Sequence, residues 1–83
     1  MTILRAEILR CLKKNDIERL KELVNKSDIN KLKHIFRQLS INQQEKIFRL
    51  MNKEGARQIY VSMNDEMRIK LINSLYPTKK NNG

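Results

Sequence analysis

The sequence contains no tryptophan, one cysteine, one proline and two glycines in 83 residues, and each scarcity closes off a class of structure. A lone Cys11 cannot form an internal disulfide, so a reducing cytoplasm is the expected compartment. So little proline and glycine argues against a turn-rich β fold and for helices. No apolar run approaches the roughly 20 residues of a membrane span, and Arg5, Glu7 and Arg10 interrupt the apolar residues near the N-terminus, unlike a secretory signal. There is no glycine-rich phosphate loop, no H-x-x-x-H or C-x-x-C pair, and no Ser, His and Asp set in recognisable context. The chain is not expected to be an enzyme.

What is present is charge and aliphatic side chains. Apolar residues make up 40% and charged residues 33%, a globular composition, and the length suits one domain. A chain of this size buries only a little over about 60% of its unfolded surface, which leaves modest stability. Eighteen basic against nine acidic side chains give a net charge of +9, enough to attract polyanions. Residues 1–40 hold ten basic and five acidic residues and residues 41–83 hold eight and four, so the charge is not gathered into one basic arm.

Residues 28–75 repeat a twelve-residue pattern four times. Asp28, Ser40, Asn52 and Asn64 open the four units, and all four residue types cap helix starts well. Seven positions on stand Ile35, Ile47, Ile59 and Leu71; eight on stand Phe36, Phe48, Tyr60 and Ile72; eleven on stand Leu39, Met51, Met63 and Leu75. The pattern extends back to Asp16, whose unit carries Ile17, Leu20, Leu23 and Val24 where the next has Ile29, Leu32, Ile35 and Phe36. Apolar residues at steps four, seven, eight and eleven trace one helical face. In a single continuous helix that face would rotate by about 120° with every unit, so the helix must break at each capping residue. Such short helices depend on packing for stability.

Taken in order, Thr2 caps a first helix to about Lys14 with an Ile8, Cys11 and Leu12 stripe supplemented by Leu4 and Leu9, in which Cys11 reads as a small buried apolar side chain. Asn15 and Asp16 end it and start the next, with Asn15 and Glu18 spaced for a capping box. Gly55 and Ala56 suggest a close helix approach. Arg68 and Asp65 replace Leu32 and Ile29 in the last unit, the polar outer face expected of a terminal repeat. Pro77 closes the domain, 1–77, and 78–83 reads as a flexible polar tail. His34 reads as a surface side chain, the four aromatics as core or near-core, and the methionines beyond Met1 as core filler.

The basic side chains offer a candidate binding surface, whereas the acidic ones are mostly explained by helix starts. Lys46, Arg49, Lys53 and Arg57 follow helical spacing and suggest a ridge across two neighbouring helices, with Lys33 and Arg37 beside it, suited to nucleic acid or an acidic partner. No aromatic is interleaved for base stacking. Asp16, Glu18, Asp28, Glu54, Asp65 and Glu66 fall in first turns, where negative charge meets the positive helix end.

The D-I pair at Asp28 and Ile29, the E-x-A-x-x-I at 54–59 and the succession of short leucine-type helices resemble the cytosolic N-terminal domain of MgtE-type magnesium transporters. The resemblance spans about 16–75 and implies an all-α, right-handed superhelix of about six short helices, similar in build to the middle domain of the flagellar motor-switch protein. It implies a regulatory role, with the domain packed on CBS modules and magnesium held by acidic residues, carried here only to Asp28, Glu54, Asp65 and Glu66. The chain departs from that family in being basic, and these 83 residues include neither CBS modules nor membrane helices, as expected of an excised domain or of a free-standing relative. The expected function is therefore a non-catalytic regulatory module that binds a protein or a downstream domain, with no cofactor beyond Mg2+; the alternative is a small basic nucleic-acid-binding protein.

Overall fold

Five polar side chains set where the helices begin. The computed structural model describes residues 3–77, so the Thr2 cap and the tail at 78–83 lie outside the described residues. Six helices follow one another: α1 (Ile3–Lys14), α2 (Ile17–Lys26), α3 (Ile29–Arg37), α4 (Ile41–Leu50), α5 (Lys53–Ser62) and α6 (Asp65–Leu75). The described residues contain no strand, so the fold is all-α.

Each helix from α2 onward starts with its predicted cap. The Asp16 side chain accepts from the Arg19 amide at 3.4 Å, Asp28 from Asn30 at 2.8 Å, Ser40 from Gln43 at 3.3 Å, Asn52 from Gly55 at 3.0 Å and Asn64 from Met67 at 2.9 Å. Each cap satisfies an amide the helix itself cannot, worth typically about 1 kcal/mol. The capping box expected at Asn15 and Glu18 is instead at Ser40 and Gln43, whose side chain accepts from the Ser40 amide at 3.0 Å. Asn15 has a different task. Its φ of 57° places it just past the end of α1, and the Asp16 amide reaches back to the Cys11 carbonyl at 2.9 Å while its own amide reaches Leu12 at 3.2 Å. This is the Schellman closure, and asparagine tolerates its left-handed backbone better than most residues.

The core is one continuous cluster built from Ile8, Leu20, Leu32, Ile35, Ile47, Ile59 and Leu71, with Cys11, Phe36, Met51, Met63 and Leu75 around it. Helices pack on the helix two further along the chain: α2 on α4, α4 on α6, and α3 on α5, with α1 against α2. Sequence neighbours therefore alternate between two rows, and the molecule is elongated, 44 × 26 × 22 Å.

Three expectations change. Step four is not uniformly apolar, because Gln44 occupies it and is buried. Any Cβ added at Gly55 would meet only Met51 and Asn52 of the preceding turn, so no second helix approaches it closely. The last unit is not wholly polar outside: beside exposed Asp65, Glu66 and Lys70, Ile69 and Tyr76 are 60–70% exposed and Ile72 also opens to solvent, which removes Tyr76 from the near-core aromatics. No described helix lies two further along from α5 or α6, and Ile72 is accordingly open where its counterparts Val24 and Phe36 are buried earlier in the chain.

Candidate docking surface

The polar side chains divide into those that hold the helices together and those that do not. Asn25, Arg37 and Arg49 are spaced twelve apart, and each donates to a carbonyl at or beside the end of the helix two on: Leu50 at 2.9 Å, Ser62 at 3.4 Å and Leu75 at 3.1 Å. The last carbonyls of a helix lack intrahelical partners and carry partial negative charge, so amide and guanidinium donors suit them. Asn25 also accepts from the Asn52 amide at 2.7 Å, fixing the α4–α5 turn against α2.

A second set closes the end of the preceding helix. The buried Gln44 amide donates to the Phe36 and Leu39 carbonyls at 2.8 and 3.3 Å. Arg68, at the same step two units on, donates to Tyr60 and Val61 carbonyls at 3.0 and 2.8 Å, and its guanidinium carbon lies 5.3 Å from the Tyr60 ring centre. Glu45 ties α4 to α6 by accepting from the Ser74 hydroxyl, and it pairs with Arg49 of its own helix at 3.0 Å. The Ser74 bond first, and the Arg49 bond second, hold its carboxyl below the ordinary glutamate value.

The predicted basic ridge is thus not one surface. Arg37 and Arg49 are engaged with helix ends. Lys33 and Arg57 come together across α3 and α5, lining a hollow of about 210 Å³ that also contains Glu54. Lys46 lies in the other row, and Lys53 sits exposed at the start of α5. The row alternation separates α4 side chains from those of α5, which sequence spacing alone cannot reveal.

The four first-turn acids do not converge. Asp28 caps α3, Asp65 pairs with Arg68 at 3.6 Å, Glu66 pairs with Lys70 at 3.7 Å, and Glu54 stands by Gln58 at 3.5 Å. Among the described residues no three His, Cys, Asp or Glu side chains are grouped to hold a metal ion. Cys11 is buried and His34 exposed, as the sequence indicates.

Lys46 instead faces α1. A hollow of about 430 Å³ lies between Leu9, Leu12 and Lys13 of α1 and Asn42, Gln43 and Lys46 of α4. It runs into a shallower one of about 590 Å³ along Ala6, Leu9, Arg10, Lys13 and Lys14. No carboxylate lines either hollow. Among the described residues none of Arg10, Lys13, Lys14 and Lys46 forms an ion pair. Glu7 and Asp16 line a separate hollow on the other flank of Arg10 and Lys14. Sequence reasoning missed this site because its halves are some thirty residues apart and because Leu9 and Leu12 read as part of the core stripe of α1, against which they do pack while also lining the hollow. No described helix is long and apolar enough to cross a membrane. No family model, curated protein or solved structure matches the chain.

Proposed function

We propose that this chain is a non-catalytic helical-repeat module that docks another protein, or a downstream domain, in a cytoplasmic regulatory assembly. In this reading it is a right-handed superhelix akin to the N-terminal domain of MgtE-type magnesium transporters. The observation that supports it is a division of labour among the polar groups. Asn25, Arg37, Gln44, Arg49 and Arg68 are occupied with helix ends, whereas the cations beside the α1–α4 hollow have no such task. Stacked short helices offer an extended face for a partner without a pocket for chemistry. Magnesium binding by Asp28, Glu54, Asp65 and Glu66 is left out of the proposal, since a hard cation needs several converging oxygens and these four are dispersed.

The test is cross-linking in the native cell with recovery of partners from the intact chain. A reproducible protein partner, cross-linked through α1 or α4, is the expected result. Recovery of nucleic acid alone would overturn it in favour of the alternative, a nucleic-acid-binding protein, which the +9 charge supports. That alternative requires binding to duplex DNA at low salt that weakens as salt rises.

A further inference from the structure

We infer that the α1–α4 hollow receives an acidic amphipathic helix, whose apolar face sits on Leu9, Leu12 and Ala6 and whose carboxylates meet Lys13 and Lys46. This inference rests on the docking reading and names its ligand class. Leu9 and Leu12 pack against the core yet are only half-buried, and Ala6 is exposed, so α1 keeps an aliphatic strip open beside its buried Ile8 and Cys11. Lys13 and Lys46 stand at the hollow from opposite helices, and Arg10 and Lys14 flank the strip along α1. With no carboxylate in the lining, this surface attracts anions and repels a basic partner.

Geometry selects among anionic partners. An aliphatic floor between two helices is the arrangement that takes the apolar face of a third helix at i, i+3, i+4 and i+7. Single-stranded nucleic acid stacks on aromatic platforms, which the lining does not contain, and a duplex held by phosphate contacts would make no use of the Leu9, Leu12 and Ala6 strip. A lipid surface would favour a projecting apolar edge, whereas Leu9 and Leu12 line a concavity.

The experiment pans the intact chain against a displayed library of helical peptides, randomised in charge and in the register of their leucines. The selected peptides are then measured by fluorescence anisotropy. Enriched peptides are expected to carry one leucine face bordered by Asp and Glu. Their affinity should fall by about tenfold with K13E/K46E, and by less with the neutral pair K13Q/K46Q, which adds no repulsion. The control pair K33E/R57E, in the α3–α5 hollow, should leave binding unchanged. Enrichment of neutral or basic peptides, or equal binding to K13E/K46E, overturns the inference. So does tighter binding of a 20-base-pair duplex or of phosphatidylglycerol vesicles through Lys13 and Lys46. A cellular partner that cross-links to α3 or α5 would remove this inference and leave the docking role intact, whereas recovery of nucleic acid alone would remove both.

Discussion

Gln44 shows how one polar residue is accommodated in an apolar column. Leu20 and Leu32 fill the equivalent position in earlier units, and a leucine at 44 would suit the hydrophobic pattern. The turn between α3 and α4, however, leaves the Leu39 carbonyl facing inward, and the Gln44 amide supplies its donor. Leaving a buried acceptor bare costs about 1–3 kcal/mol, comparable to what an aliphatic side chain gains there. Gln44→Ala loses both contributions and should lower stability by about 2–4 kcal/mol in urea unfolding. Gln44→Leu refills the volume but not the hydrogen bond, and should recover only part of that loss. Full recovery by leucine would show that packing alone matters at this site.

Glu45 supports a prediction with a definite pH sign. Its carboxyl is held below the ordinary value, most strongly by the Ser74 hydroxyl, so the folded chain binds this proton less readily than the unfolded chain. The resulting stability is fully present above the unfolded carboxyl value of about 4.3 and is lost as pH falls through the lowered folded value. Ser74→Ala removes the larger cause. A carboxyl-carbon NMR titration should show the Glu45 midpoint moving up toward an ordinary glutamate, while Arg49 still prevents a full return. An unmoved midpoint would mean that Arg49, not Ser74, governs the group.

At the scale of the helix, the sequence was most legible where the chemistry is local. Asp16, Asp28, Ser40, Asn52 and Asn64 each satisfy amides two or three residues away, so their meaning lies within four letters of sequence. Asn25, Arg37 and Arg49 are equally regular but reach carbonyls 25 or 26 residues away, and a backbone acceptor leaves no mark on the residue that supplies it. Read from sequence, these positions are indistinguishable from a solvated face, and Arg37 and Arg49 were placed among the binding candidates for that reason. Asn25 is the most consequential of the three. It donates to Lys21 and Leu50 carbonyls and accepts from Asn52, joining α2, the end of α4 and the start of α5. Asn25→Ala should cost about 1–3 kcal/mol at this part-buried junction. Hydrogen exchange should increase first at the α4–α5 turn; a loss confined to α2 would contradict the junction role.

At the scale of the whole molecule, the row alternation governs which surfaces exist. It separates Lys46 from Arg57, brings Lys46 to Lys13, and leaves Ile72 open on α6 where Val24 and Phe36 are buried in earlier units. Apolar periodicity specifies which face of each helix is buried but not which other helix covers it, so the ridge and the polar end face failed together. If the stack is modular, its length can be changed in whole steps. Duplicating residues 28–51 after Met51 adds one helix to each row. Every interhelical donor retains a target, because the acceptors are main-chain carbonyls at helix ends and not particular side chains. Packed helices sit about 8–10 Å apart, so X-ray scattering should show the long axis growing by about that amount. Helical content per residue should be unchanged, and the melting temperature should be no lower than that of the parent. Duplicating only residues 28–45 cuts α4 before Ile47 and throws every later helix out of step with the two rows, so that chain should melt below the parent. If the shorter insertion is tolerated as well as the longer one, the helices associate through generic apolar contact and the spacing of the clamps carries no structural weight.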